Sequence, residues 1–367
     1  MCNFFATVLS QRTLLFNSAN RLIVKIIMIK YSFILPCYNV APYIGRCIDS
    51  IENQDIPRKE YELICVDDCS SDETVGVIRE YQKKYSNIIL ICHTENRTAG
   101  GARNSGIKVA KGHYIWFVDP DDTIKPNVLN KLYIEAKQQN ADILNFNIQV
   151  KLENGQVLEC KVYDEQKETL SGPLFLEKHG ISLHKVDSVY SGIYKCNFLK
   201  ENKLKFPEIK SSQDVVFIWK CILKAKRYMS LSDICYLYIR RENSTTGNKG
   251  KFSAQTIFSQ SLLYSIELNK ILQTNTDIPQ RINYEIHESQ YSALNQKSRN
   301  VIYATKKGKK LFYKQMQRYK AEIDDLADIM NRKTRKIFSY STPYVLWRLF
   351  LIIFALTNKY KKRPNNY

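Results

Sequence analysis

Tyr114-Ile-Trp-Phe-Val-Asp-Pro-Asp-Asp122 joins a five-residue apolar run to three carboxylates within nine positions. An apolar run of this length, stopped by a turn signal, reads as a strand buried on both faces. Pro120 and the flanking aspartates supply the stop. Carboxylates packed this closely repel one another and stay ionised only beside a cation or hydrogen-bond donors. Asp119 and Asp121 offer the hard oxygen donors taken by Mg²⁺ or Mn²⁺, which keeps waters and takes substrate phosphates as its other ligands. A solvated turn with a helix cap is the competing reading. The fully apolar strand before the motif, and a second acidic strand end upstream, weigh against it.

Upstream the chain alternates the two periods. Tyr31 to Leu35, Tyr61 to Val66 and Asn87 to Cys92 read as strands. Ile44, Cys47, Ile48 and Ile51 fall at helical spacing. Ser70-Ser-Asp-Glu73 has the form of a capping box opening a helix with Val75, Ile78 and Tyr81. Gly101 to Ala110 reads as a short helix. Downstream, Val128, Leu129, Leu132 and Ala136 form a helical stripe, and Ala141 to Ile148 a fifth strand. Successive β-α units predict a mainly parallel sheet covered by helices on both faces. Residues 150 to 250 are less regular. Beyond Gly250 the stripe Phe258, Leu262, Leu263 and Ile266 predicts helix.

In such a sheet ligands bind beyond the carboxyl ends of the strands. Two more strand ends are polar there: Pro36-Cys-Tyr-Asn39 and Asp67-Asp-Cys-Ser70. Gly100, Gly101 and Gly106 would let backbone approach a ligand, and Arg103 offers a planar fork for phosphate. A dinucleotide-binding G-x-G-x-x-G does not follow the first strand, so that class is disfavoured.

The 367 residues include 44% hydrophobic and 25% charged side chains, which excludes disordered and fibrous classes. The net charge is +19, and Val301 to Tyr367 holds 16 basic against 4 acidic residues. The ten cysteines are scattered, without a C-x-x-C pair, and read as reduced core thiols. No secretory signal is visible. Tyr344 to Leu356, about 13 residues with Arg348 inside, falls short of the roughly 20 needed to span a bilayer. Trp347, Phe350 and Phe354 beside Lys359, Lys361, Lys362 and Arg363 suit an interfacial helix on anionic lipid. A terminal helix packed on the domain is the alternative. Residues 1–27 fit no element of the pattern and read as an N-terminal extension outside the fold.

Phe33-Ile-Leu-Pro-Cys-Tyr-Asn39, Val66-Asp-Asp-Cys-Ser-Ser-Asp72, Ala102-Arg-Asn-Ser-Gly106 and Phe117-Val-Asp-Pro-Asp-Asp122, in this order and spacing, resemble the family 2 glycosyltransferases. The resemblance implies the GT-A nucleotide-diphospho-sugar transferase fold over residues 28–248. A helical C-terminal region (249–340) and a basic amphipathic tail (341–367) would follow. It implies a nucleotide-diphosphate-sugar donor contacted by Pro36, Tyr38, Asn39, Asp67, Asp68, Arg103 and Asp119. The D-x-D pair Asp119 and Asp121 would hold Mg²⁺ or Mn²⁺, with Asp122 an additional contact. Phe206 to Phe217 resembles the acceptor-side segment, which makes Asp214 the general base. Tyr238 to Gly247 resembles the stretch that closes over the diphosphate. Cys69 and Thr98 stand where the family more often has glycine, and Gln213 where it often has glutamate.

The expected activity is inverting transfer of a sugar to a hydroxyl of a saccharide acceptor, lipid-linked in surface-polysaccharide synthesis. The expected location is cytoplasmic, peripheral on the inner face of the cell membrane. A sugar-phosphate nucleotidyltransferase would favour a glycine-rich basic loop after the first strand, where Cys37-Tyr-Asn-Val-Ala-Pro-Tyr stands instead. A non-catalytic nucleotide- or nucleic-acid-binding protein is the other alternative. No nucleic-acid partner is expected, because the conspicuous strand ends are acidic and most of the positive charge sits in the tail.

Overall fold

The described part of this computed structural model comprises residues 28–161, 165–179, 188–209 and 212–241, with positions 266–268, 270–272, 278 and 282. The extension 1–27, the tail 341–367 and most of 249–340 lie outside it. Apolar runs and helical stripes alternate through its first half. They form β1 (Tyr31–Cys37), α1 (Ala41–Glu52), β2 (Tyr61–Asp67), α2 (Thr74–Lys84), β3 (Ile88–Cys92), α3 (Thr98–Val109) and β4 (Tyr114–Phe117). The short β5 (Thr123–Ile124), α4 (Leu129–Gln138) and β6 (Ile143–Leu152) follow. The second half contributes β7 (Val157–Lys161), β8 (Gln166–Leu170), α5 (Gly172–His179), β9 (Gly192–Lys195), α6 (Cys196–Glu201), α7 (Gln213–Lys224) and β10 (Tyr228–Arg240).

The strands make one sheet in the order β3-β2-β1-β4-β9-β6-β10-β5, with β7 on β6 and β8 on β10. The expected parallel arrangement holds for β3-β2-β1-β4 and again for β6 with β10. Between them β9 runs antiparallel to both β4 and β6, so the whole sheet is mixed. Alternate side chains of each central strand enter two separate cores, as a sheet covered on both faces requires. Ile34, Ile64, Val66 and Phe117 pack with Ala102 and Ile107 of α3 and with Phe217 and Trp219 of α7. Phe33, Leu63, Cys65 and Trp116 pack with Ile44, Cys47 and Ile48 of α1, Ile78 of α2 and Leu132 of α4. Leu268 and Leu272 join the α3 side. Cys37, Cys47, Cys65, Cys196, Cys221 and Cys235 are buried free thiols.

Two local expectations change. The Ser70–Glu73 box does not open α2, which starts at Thr74 with no side-chain cap. Asp72 Oδ1 accepts the Thr74 N–H at 3.0 Å, and the other bonds of these residues lace the β2 loop to the β1 loop. Asn39 N–H donates to Ser70 Oγ at 3.0 Å, Ala41 N–H to Asp72 Oδ2 at 3.1 Å, and Ser71 N–H to Asn39 Oδ1 at 2.8 Å. The glycines of α3 do not form a ligand cradle. A Cβ on Gly106 would run into the Ile34 side chain, and one on Gly100 would lie 2.7 Å from the Pro207 carbonyl oxygen. They let α3 sit close on β1 and on the 206–208 segment.

Candidate active site

The strand order reverses between β1, which leads on to β2 and β3, and β4 on its other side. Ligand crevices of open α/β sheets open at such a switch point. Pairing of β1 with β4 ends at Ile34 and Phe117, with one further bond from Val118 N–H to the Ile34 oxygen. Pro36 has no N–H to continue it, so the two chains part there. Pro36 itself is buried in β1. Tyr38, 51% exposed, and Asn39, at φ 52°, stand on one side of the opening. Asp119 and Asp121 stand on the other.

Asp67 is 3% exposed, and its Oδ2 accepts the Ser70 N–H at 3.2 Å. Its Oδ1 is buried with no hydrogen-bond partner among the described residues. Asp68 is spent differently. Its Oδ1 accepts the Arg97 N–H at 2.9 Å and lies 2.7 Å from His93 Nδ1, whose Nε2 is 2.8 Å from Ser105 Oγ. That carboxylate oxygen therefore ties the β2 end to α3.

Arg103, 4% exposed, donates from Nη2 to Asp119 Oδ1 at 2.6 Å and stacks over the Phe206 ring at 5.4 Å. Its Nε and Nη1 are buried without partners among the described residues. Asp121 pairs with Arg241, which lies 4.0 Å over the Tyr43 ring. Arg46 donates to the Asp121 carbonyl oxygen at 2.9 Å. Burial raises the Asp121 carboxyl above the usual range, Asp119 adds to the rise, and Arg241 opposes it. Asp122 does not face the crevice, contrary to the expected contact. It is fully buried, with Oδ2 accepting the Tyr236 hydroxyl at 2.8 Å and Oδ1 the Ile239 N–H at 2.7 Å. The same Tyr236 oxygen accepts the Asp119 N–H at 3.1 Å.

Asp214 lies in the first turn of α7, its Oδ1 accepting the Val215 N–H at 2.9 Å. Loss of water raises its carboxyl to about 6, while the nearby Arg103 cation pulls the other way. Helix α3 and the segment before Asp214 are clamped together: Asn104 Nδ2 donates to the Phe206 oxygen and Phe206 N–H to Asn104 Oδ1, each at 2.9 Å. Phe206 stacks on Phe217 of α7 with centroids 3.8 Å apart. The fold thus brings Arg103, Asp119, Asp121 and Asp214 to one crevice.

Residues 32–158 match the model of Glycosyl transferase family 2. That segment carries the family's sequence pattern. The poly(ribitol-phosphate) beta-glucosyltransferase of Bacillus spizizenii is 37% identical over 212 residues, which is 57% of this chain and 32% of that protein. The poly(ribitol-phosphate) beta-N-acetylglucosaminyltransferase TarS of Staphylococcus aureus is 30% identical over 242 residues, 66% of this chain and 41% of that protein. The chain thus spans about a third to two fifths of the length of these curated relatives. The crystal structure of S. aureus TarS 1-349 in complex with UDP-GlcNAc superposes with a TM-score of 0.60 at 23% identity, over 82% of this chain and 83% of that one. That likeness shows the GT-A fold.

Within this family 2 domain, sequence reasoning missed three groups. Tyr236 and Ile239 of β10 hold Asp122. His93 links Asp68 to Ser105. Arg241 lies within the Tyr238–Gly247 stretch, but nothing in the sequence paired it with Asp121. The signal for Tyr236 was its place in an apolar strand, where a buried hydroxyl needs a partner.

Proposed function

We propose that this chain transfers a sugar from a UDP-sugar to a hydroxyl of a phosphate-bearing saccharide or polyol chain during surface-polymer synthesis, with inversion at C1. The observation that carries the reading is the convergence of the Asp119–Asp121 pair with the raised Asp214 carboxyl at one crevice. The relatives named for poly(ribitol-phosphate) transfer, and the TarS complex with UDP-GlcNAc, supply the donor and acceptor classes.

The donor set also fits a divalent cation. Asp119 and Asp121 each engage one carboxylate oxygen with a guanidinium, which leaves hard oxygen donors facing the crevice. Mg²⁺ or Mn²⁺ held there supplies Lewis-acid neutralisation of the departing diphosphate. The buried unpaired Arg103 nitrogens suit diphosphate oxygens, and the orphan Asp67 Oδ1 suits a donor N–H or O–H of the nucleoside. Asp214, poised near neutral pH, takes the acceptor hydroxyl proton as the new C1–O bond forms. The C1–diphosphate bond breaks on the opposite face, UDP leaves, and the proton passes to solvent. The aromatic and basic side chains of 341–367 support a membrane-surface location.

The test incubates the purified full chain with Mn²⁺, a panel of UDP-sugars and a polyol-phosphate acceptor. UDP release and the anomeric configuration of the product are measured. UDP release with an inverted product supports the reading. No UDP release from any donor, or retained configuration, overturns it.

A further inference from the structure

At the opposite end of the sheet from the crevice, a cavity of about 450 Å³ is lined by Lys195, Lys224, Lys226 and Arg227, with Asp142 and Glu201. It adjoins the N-terminal ends of β4, β6 and β10. Lys195 pairs with Tyr114, the first residue of β4, and Arg227 immediately precedes β10. Five chain steps along and just past β4 lead from Tyr114 to Asp119, about 16 Å at strand rise.

The four cations of the described lining outnumber its two carboxylates, Asp142 and Glu201. Asp142, 6% exposed, is committed: its Oδ2 accepts the N–H groups of Lys226 and Arg227, each at 3.0 Å, and its Oδ1 faces Arg227 Nη2 at 3.4 Å. Lys195 Nζ donates to Asn140 Oδ1 at 2.5 Å, a neutral partner. Lys224 and Lys226 have no carboxylate within ion-pair distance among the described residues. Burial lowers the nearby His113 ring, and the positive charges of Lys195 and Lys137 add to the effect.

We propose that this cavity is a second binding site, which holds a phosphate or phosphodiester group of the acceptor chain. The proposal rests on the acceptor reading above. In that reading the crevice is taken by the donor diphosphate, so an anionic chain held at the far, basic end gains local concentration without competing for it. A lipid surface fits less well. Phe198, the one aromatic side chain among the described lining residues, is 5% exposed, so the described lining presents no apolar anchor.

The experiment uses the full chain, the double variant Lys224→Glu/Lys226→Glu and the milder Lys224→Gln/Lys226→Gln. Calorimetry measures binding of a synthetic polyol-phosphate oligomer at two salt concentrations, and of UDP. Co-sedimentation with phosphatidylglycerol vesicles runs alongside. The charge reversal is expected to weaken oligomer binding by about tenfold or more and to flatten its salt dependence, with UDP affinity unchanged. The neutral variant should weaken it less, in the same direction. Oligomer affinity equal to wild type in both variants overturns the proposal. So does loss of vesicle binding with oligomer binding intact, which assigns the cavity to lipid. Should the reversal also lose UDP binding through misfolding, the neutral variant decides. A chain that transfers no sugar refutes the catalytic reading but leaves the oligomer measurement standing, so the two failures are distinguishable.

Discussion

The two ends of the sheet use carboxylates in opposite ways. At the basic end Asp142 is bound by two backbone N–H groups, which cannot be released without unfolding the turn into β10. At the acidic end Asp119 and Asp121 are held by the side chains of Arg103 and Arg241, which can turn away without breaking a backbone hydrogen bond. Asp122, three residues beyond Asp119, belongs with Asp142 in this respect, locked by a strand N–H and a tyrosine hydroxyl. A carboxylate's partners therefore separate chemical roles from architectural ones better than its burial does.

That contrast is open to experiment. Asp121→Ala should give the largest effect, a fall in transfer of about 10³-fold, because the leaving diphosphate loses several kcal/mol of neutralisation. Mn²⁺-dependent UDP binding should weaken with it. Calorimetry showing unchanged affinity would move the metal elsewhere. Asp214→Asn should lower turnover by at least ~10²-fold while UDP still binds. A variant turning over near wild-type rate would send the base role to another residue.

The raised Asp214 carboxyl also sets a pH dependence. A base must be ionised, so turnover should fall as pH drops through about 6. Stability runs the other way. A carboxyl raised above its unfolded value contributes stability that is fully present at low pH and is lost as pH rises through about 6. The stability gained by Asp214→Asn over wild type should therefore grow between pH 4 and pH 7. Melting curves showing a gain that shrinks over this range would contradict the assignment.

Losing architectural carboxylates should cost stability rather than turnover. Asp142→Ala leaves two backbone N–H groups without their acceptor and should destabilise by about 1–3 kcal/mol, read from denaturant unfolding. Asp121→Ala should lose far less stability than that. Equal losses would erase the distinction between the two ends. The smallest effect is expected at Thr98, a β-branched residue at φ 67°. Thr98→Gly should stabilise by up to about 1 kcal/mol, since the left-handed region strains such a side chain.

The first half of the fold was legible because its strands are continuous apolar runs and its helices carry clean stripes. Tyr31–Cys37, Tyr61–Asp67 and Tyr114–Phe117 lie within two residues of their expected limits. The acidic end of β4 was legible because Asp-Pro-Asp-Asp stops a fully apolar run. The antiparallel β9 was not, since four residues carry no period and their partners lie about 50 to 80 positions away. Ser70-Ser-Asp-Glu73 has the composition of a cap, but apart from the Asp72 bond to Thr74 its donors and acceptors meet the neighbouring loop. Cys69 and Thr98, at φ 66° and 67°, are intelligible only afterwards: both keep the backbone shape that glycine would take without strain.

The Asp122–Tyr236 bond spans 114 positions, and the pairing of Asp121 with Arg241 spans 120. On a ribosome adding roughly 5–20 residues per second, the acidic turn emerges many seconds before the strand that secures it. During that interval β1, β2, β3 and β4 can already pair and Arg103 can reach Asp119, but Asp121 and Asp122 lack Arg241, Tyr236 and Ile239. The acidic side of the crevice is thus completed late in synthesis, when β10 docks beside β6, and a nascent fragment ending before Tyr228 would be a sheet with an unfinished mouth.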